Sequence, residues 1–141
     1  MPRTNSVASD TTFPALQRLT PVLVVDSVDQ CLPFWTDRLG FEVTNHVPAP
    51  DGSKIFAILE RDGIEVMYQS RASVLADGTV AQTELDGHSV ALFITVGSLD
   101  DVERRLSGAP IVKPRHDTFY GSTEIYVKEP GGNTVGFAQM K

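Results

Sequence analysis

Apolar residues follow two different spacings in alternating segments of this chain, which predicts strands and helices in turn. Residues 19–26 form a short run rich in Val and Leu, which is typical of a buried strand. The apolar residues that follow recur every three or four positions, which predicts a helix over 28–39 with Ser27 as its N-cap and Gly40 just after its end. Pro33 lies near the second turn, so we expect a local kink there.

Strands follow this helix. They are predicted at 41–47, 55–60 and 64–69. The dipeptide Asp62-Gly63 between the last two is typical of a two-residue hairpin turn, and such a turn places Ile58 opposite Met67. Residues 71–87 are polar and without a period, and we interpret them as a linker or, alternatively, as a flap.

The same order of elements then occurs a second time. Residues 25–29 (VDSVD) correspond to residues 96–100 (VGSLD) at an offset of 71, and each copy closes with a strand hairpin, at 55–69 and at 122–138. The second copy contains a predicted strand over 89–96, a helix over 99–106, a strand beginning at 111 and the closing hairpin. We therefore predict an α+β fold of two tandem βαβββ modules.

The repeat divides the chain into segments. We predict an N-terminal arm at 1–16, a first module at 17–70, the linker or flap at 71–87, and a second module at 88–141. A sheet with exposed edges favours association, so we expect a homodimer, although the sequence does not tell whether the modules pair within a chain or between chains.

Composition narrows the classes of partner. The chain of 141 residues is 41% apolar and has a formal net charge of −6, which disfavours nucleic acid and anionic membranes and permits a cationic ligand. The single cysteine, Cys31, excludes an internal disulfide and is expected in the core, where it would be inert. Without a predicted membrane span or signal peptide, we expect a cytoplasmic protein.

Two motifs in the chain resemble those of a known family. They are VDSVD at 25–29 with FWTDRLGF at 34–41, and Tyr120-Gly121 followed by YVKEPGGN at 126–133. In this order they are similar to the opening and closing motifs of the glyoxalase/bleomycin resistance/extradiol dioxygenase group, the vicinal oxygen chelate superfamily. The resemblance implies a curved mixed sheet around a cleft, with helices on the convex side.

The resemblance also implies where a metal would be bound. In the enzymes of this family, His or Gln on the first strand of each module and Glu on a late strand of each module hold a divalent ion. The corresponding positions here are Thr20, Ala91 and Gly136, with Glu65 or, in an alternative register, Met67 as the fourth. Because this set does not form a divalent metal site, we expect no metal and no cofactor. The three histidines, His46, His88 and His116, are expected at the surface.

Strand alternation assigns a ligand-binding lining to the concave face. The candidate ligand-binding residues are Phe56, Glu65, Met67, Phe93, Tyr120, Glu124 and Tyr126. This lining is aromatic and apolar with two carboxylates, which suits an amphipathic or cationic small molecule. The alternative is a filled sheet interface without a ligand.

The resemblance is nearest to the metal-free bleomycin-resistance branch, whose dimers bind a cationic glycopeptide. We therefore expect a small-molecule binding protein that sequesters its ligand and has no catalytic residues. The alternatives are a metal-dependent or metal-free lyase, isomerase or dioxygenase-like enzyme, with Glu65 as general base in the metal-free case, and a dimeric scaffold whose cleft has no ligand.

Overall fold

The structure, a computed structural model, describes residue 13, residues 18–77 and residues 91–141. Its first module contains two helices and four strands: β1 (Val22–Val25), α1 (Val28–Leu39), β2 (Glu42–Pro48), β3 (Lys54–Arg61), β4 (Ile64–Ser70) and α2 (Arg71–Asp77). The second contains β5 (Ala91–Thr95), α3 (Leu99–Arg105), β6 (Ile111–Asp117), β7 (Ser122–Lys128) and β8 (Thr134–Met140). The α+β class and the two tandem βαβββ modules are confirmed.

Each module forms its own four-stranded mixed sheet. The strand orders are β1-β4-β3-β2 and β5-β8-β7-β6, with β1 parallel to β4 and β5 parallel to β8. The parallel pair in each sheet follows from the helix that connects its first strand to the rest, because a crossover returns the chain in the same direction. Residues 1–12 and 14–17, which include all of the predicted arm except Phe13, lie outside the described residues. So do residues 78–90 of the predicted linker and second module, which include His88.

The ends of α1 confirm the capping residues that the sequence predicts. Ser27 has an extended backbone, and its side chain accepts a hydrogen bond from the Gln30 N–H, which is otherwise unpaired in the first turn. Gly40 ends the helix with φ at +72°, a left-handed conformation that glycine adopts without steric cost. Pro33 lies inside the assigned helix, which continues to Leu39.

The hairpin between β3 and β4 also has the predicted register. Its turn residues, Asp62 and Gly63, both have positive φ values, +54° and +79°, which match the right-handed twist of the strands. Ile58 pairs with Met67, and the side chains of Ala57, Leu59, Val66 and Tyr68 are buried on the opposite face of the sheet.

One helix was not predicted. Residues 71–77 lie in the segment expected to be an aperiodic linker or flap, yet they form α2. The Ser70 hydroxyl accepts a hydrogen bond from the Ser73 N–H, in the manner of an N-cap, and Val74 is buried. A single buried apolar residue is too weak a periodic signal to predict a helix from sequence.

The two modules share one hydrophobic core on the sides of their sheets that bear α1 and α3. A buried chain of hydrogen bonds crosses it: Trp35 Nε1 donates to Tyr68 Oη at 2.8 Å, and Tyr68 Oη donates to Glu129 Oε2 at 2.5 Å. Glu129 belongs to the turn before β8, where it also accepts from both nitrogens of Asn133. Burial and the carboxylate of Glu129 raise the pKa of the Cys31 thiol to about 12, so the buried cysteine stays protonated.

The faces of the two sheets that the sequence predicts to be concave point away from this shared core. On β4 and β7, residues of one parity pack into the core, and the alternate residues occupy the outer face. We call these outer faces the first open face (Phe56, Ile58, Glu65, Met67 and Gln69) and the second open face (Phe93, Ser122, Glu124, Tyr126 and Gly136). No helix in the described ranges is long and apolar enough to cross a membrane.

Candidate functional site

The structure distributes the seven predicted ligand-binding residues between the two open faces. Phe56, Glu65 and Met67 lie half-buried on the first, and the remaining four lie on or beside the second: Phe93, Tyr120, Glu124 and Tyr126. The two groups belong to different sheets whose opposite sides share the core, so a single chain does not bring all seven together.

Glu124 is the centre of the second open face. Three hydroxyl groups donate to its carboxylate: Tyr120 Oη and Ser122 Oγ each at 2.8 Å, and Tyr126 Oη at 3.0 Å. Only 1% of the residue is exposed. Of its three hydroxyl partners, Ser122 is itself buried and Tyr120 is the most exposed.

These hydroxyl groups keep the carboxylate ionised. Burial alone would raise the pKa of Glu124, but hydrogen bonds from Ser122, Tyr120 and Tyr126, with the positive potential of His116, outweigh burial and hold the pKa below its ordinary value. Burial and the Glu124 carboxylate raise the pKa of Tyr126 to about 12. At neutral pH the cluster is therefore one anion surrounded by neutral donors.

His116 belongs to this cluster, although the sequence predicts a surface histidine. It pairs with Glu124 across β6 and β7, and its ring stacks on that of Tyr126, with the centroids 6.3 Å apart and an interplanar angle of 20°. The sequence indicated only the beginning of β6, and two irregularities in the pairing of β6 with β7 shift the register before His116. His46, in contrast, lies exposed on β2 as predicted.

Tyr126 lies directly over Gly136, one of the positions where the enzymes of the resembling family hold a metal. A Cβ atom on Gly136 would be 2.4 Å from Tyr126 Cε2, so the ring occupies the space of any side chain there. Sheet register pairs Phe93 with Gly136 and Val22 with Met67, which makes Met67 the equivalent of Gly136 in the first module. The alternative register is therefore the one that the structure adopts.

Glu65 has partners of its own on the first open face. Its carboxylate accepts a hydrogen bond from Thr20 Oγ1 at 2.9 Å and forms an ion pair with Arg18 at 3.3 Å. Thr20 and Glu65, two of the predicted metal positions, do meet. Ala91, however, carries no donor atom, and Gly136 is covered by Tyr126.

The residues at these positions do not fit a divalent metal. A site of this kind needs several carboxylate, imidazole or thiolate ligands around one point. Within residues 18–77 and 91–141, no three His, Cys, Asp or Glu side chains are grouped in a way that could hold a metal ion. The second open face instead exposes the aromatic rings of Phe93 and Tyr120, with the buried carboxylate of Glu124 beneath its hydroxyl partners.

Known proteins resemble this chain in sequence and in fold. An uncharacterised protein of Mycobacterium bovis, Mb0911c, is 30% identical over 124 residues, which cover 86% of this chain and 82% of the relative. TioX from Micromonospora sp. ML1 has 21% sequence identity and a TM-score of 0.69, over 89% of this chain and 99% of its own. A glyoxalase-related enzyme from Fulvimarina pelagi has 19% identity and a TM-score of 0.70, over 88% of each chain.

The two solved structures have the same fold as this chain. Because their sequence identity to it is low, the similarity is one of fold alone. A family model matches residues 16–137, which span both modules and all the described strands up to the middle of β8. This chain belongs to the Glyoxalase/Bleomycin resistance protein/Dioxygenase superfamily.

Proposed function

We propose that the protein binds a small amphipathic cation on its second open face and sequesters it without metal chemistry. The observation that carries this proposal is the ionised carboxylate of Glu124, which three neutral hydroxyl groups hold in place and none neutralises. A cation above the sheet would be attracted to this charge, and Tyr120, which is 56% exposed, is the hydroxyl donor with the most freedom to move aside.

Glu65 and Glu124 differ in the charge of their partners. Glu65 has a cation from the same chain, Arg18, as its partner, whereas the hydrogen-bond partners of Glu124 are uncharged. A cationic ligand would have to displace Arg18 from Glu65, whereas among the described residues no cationic side chain is hydrogen-bonded to Glu124. The net charge of −6 supports attraction of a cation over a longer range.

Aromatic groups around Glu124 support an amphipathic ligand. Tyr126 and His116 stack on one another, and Phe93, which is 50% exposed, is paired with Gly136 on the strand beside them. Aromatic faces attract cations and planar rings, and their burial under a ligand adds hydrophobic stabilisation. Charge and stacking would thus act on the same molecule.

The proposal includes a homodimer in which a second copy covers the open faces. Both faces carry exposed apolar side chains, notably Val22 on the first and Phe93 and Met140 on the second. In a soluble protein such faces favour contact with another chain, and a two-fold dimer places the first face of one copy against the second face of its partner. A ligand at Glu124 would then be enclosed between two chains.

A metal-free isomerase or lyase is the alternative function. It requires a carboxylate that can take up a proton, and the lowered pKa of Glu124 makes that residue a weak base. Glu65 is the remaining candidate, because its carboxylate is half-buried on an open face beside the Thr20 hydroxyl. Loss of turnover in Glu65→Gln with unchanged ligand affinity would support this alternative.

Calorimetric titration with metal-free bleomycin, an amphipathic cationic small molecule, tests the binding function. Glu124→Gln keeps the shape of the side chain and removes its charge, so we expect the dissociation constant to rise by about tenfold or more. Glu42→Gln removes an exposed charge from β2 and should leave the constant unchanged. Equal affinity in the wild type and Glu124→Gln would contradict the electrostatic role.

A further inference from the structure

A groove between the two modules lies outside both open faces. It has a volume of about 470 Å³ and is bordered by the end of α1, the β3–β4 hairpin, the end of β5 and α3. This volume is within the range of pockets that hold small organic molecules, about 300–1,000 Å³. We call it the intermodule groove.

The rim of the intermodule groove carries three arginines, Arg38, Arg61 and Arg105. Arg38 Nη1 donates to the carbonyl oxygens of Arg105 and Ser107 at the end of α3, and Arg105 Nε donates to the carbonyl oxygen of Arg38 at the end of α1. An arginine from each helix thus caps the C-terminal end of the other helix. The C-terminal end of a helix carries a partial negative charge, so a cation is stabilised there. These bonds hold the guanidinium groups at the seam between the modules.

Two of these positive charges have no carboxylate partner. The two acidic residues in the lining form ion pairs with other arginines. Asp62 pairs with Arg61 on the rim, and Asp101 pairs with Arg104, which is outside the groove. Within the described part of the chain, Arg38 and Arg105 bond only to main-chain carbonyl oxygens. A carbonyl oxygen orients a guanidinium without cancelling its charge, and both groups keep further N–H donors.

The floor of the groove is apolar. It is formed by Phe41, Ile94, Val96, Val102 and Phe137. Phe41 and Phe137 are buried core residues, while Ile64 at the mouth is 40% exposed. An apolar floor below unmatched guanidinium groups is complementary to a molecule with an apolar body and an anionic end.

We propose that the intermodule groove binds a small amphipathic carboxylate. Its apolar body lies on the floor, and its carboxylate accepts hydrogen bonds from Arg38 and Arg105, whose planar donor groups match a carboxylate in geometry. The ligand therefore contacts both modules at once. This site is opposite in charge preference to the second open face, and it does not depend on the function proposed there.

Calorimetry with 2-naphthoate and its neutral analogue 2-naphthamide tests the proposal. The two probes share the ring system and differ in charge, so the wild-type protein should bind the carboxylate about tenfold more tightly. Equal affinities would overturn the proposal, because they would show that the guanidinium groups play no part. Absence of saturable naphthoate binding would overturn it as well.

Substitutions at Ile64 test whether the ligand binds in the intermodule groove. Ile64→Glu introduces a repelling carboxylate at the mouth, and Ile64→Gln introduces a neutral side chain of similar size at the same exposed position. We expect naphthoate binding to be lost in the first and retained in the second. If both variants bind naphthoate alike, the ligand is elsewhere and the groove is rejected as its site.

Arg105→Gln removes one of the two unmatched charges, and Lys113→Gln removes an exposed charge outside the groove. The first should weaken naphthoate at least severalfold and the second should not, with circular dichroism confirming that both variants are folded. Glu124→Gln separates the two sites: it should leave naphthoate affinity unchanged, whatever its effect on bleomycin. A change of naphthoate affinity in Glu124→Gln, in either direction, would place the anion on the open face and overturn the proposal.

Discussion

The ring of Tyr126 lies against the backbone of Gly136, so closely that a Cβ atom on residue 136 would be 2.4 Å from Tyr126 Cε2 and 2.7 Å from Cδ2. The two residues are direct neighbours on antiparallel strands β7 and β8. Glycine at this position is what allows the tyrosine to lie flat and to reach Glu124 with its hydroxyl. The aromatic face and the absence of a side chain at residue 136, which the sequence resemblance assigns to a metal ligand, are therefore one structural feature.

This contact predicts that Gly136→Ala destabilises the protein through overpacking, by about 1–3 kcal/mol. Denaturant unfolding measures the change in free energy. Gly97→Ala is a matched control, because no atom lies within 4 Å of the Cβ that it adds. In a Tyr126→Ala background the ring is gone, so adding Gly136→Ala should cost much less. An equal loss in both backgrounds would show that another contact is responsible.

A second prediction concerns the hydroxyl group of Tyr68, which joins Trp35 of one module to Glu129 of the other. Tyr68→Phe removes this group and leaves the buried indole N–H without its acceptor and the carboxylate without one of its donors. Leaving buried polar groups unpaired costs about 1–3 kcal/mol, so we expect a lower free energy of unfolding by that amount. Ser107→Ala removes an exposed hydroxyl group and should leave the unfolding midpoint nearly unchanged.

The lowered pKa of Glu124 predicts a pH dependence of stability. A carboxylate whose folded pKa is below its unfolded value stabilises the fold above the unfolded pKa, and that stabilisation is lost as pH falls through the folded pKa. The ordinary value here is 4.5. Glu124→Gln cannot titrate, so we expect the wild type to be more stable than the variant at pH 7 and the difference to shrink as pH falls below about 4.5.

Denaturant unfolding at a series of acidic pH values measures this difference. Glu42→Gln is the control, because it removes an exposed carboxylate. Its free energy of unfolding should depend on pH as that of the wild type does. A difference between Glu124→Gln and the wild type that stays constant across this range would mean that Glu124 does not titrate with the fold.

The parts of this fold that the sequence predicts are those determined by short local signals. The two-residue turn at Asp62-Gly63 determines the register of β3 and β4, and the caps at Ser27 and Ser98 determine where α1 and α3 begin. Each of these signals acts over a few residues, so sequence alone contains it. Part of the second open face was also predictable from the sequence. Side chains alternate between the two faces of a strand, so Glu124 and Tyr126, on either side of the core residue Ile125, share the opposite face.

Features that depend on contacts between distant residues were not readable in this way. The repeat offset is 71 between Val22 and Phe93 but 69 between Met67 and Gly136, although the turn before β8 is longer than the turn before β4. The second module is shorter before its hairpin, where α3 has seven residues and α1 has twelve. Only the sheet register decides between the two alignments. The place of His116 beside Glu124 likewise depends on irregular pairing of β6, for which the sequence has no local marker.

The last prediction concerns Phe93, half of which is exposed on the second open face. If a second copy covers this face, the wild type should sediment at twice the chain mass of 15.4 kDa. Phe93→Asp places a charge in the interface and should shift the protein to monomer, since an unpaired charge buried between chains is costly. The residue is not part of the core, so the monomer should remain folded.

Phe93→Leu keeps an apolar side chain at the same position and should remain dimeric. Sedimentation velocity on all three proteins measures the masses. Val22→Asp places the charge on the first open face, away from the ligand site around Glu124, so bleomycin titration of this variant asks whether the ligand needs both chains. Because the second open face alone leaves a ligand exposed on one side, we expect Val22→Asp to lose bleomycin affinity together with the dimer. A wild-type protein that sediments as a monomer would contradict the enclosed site.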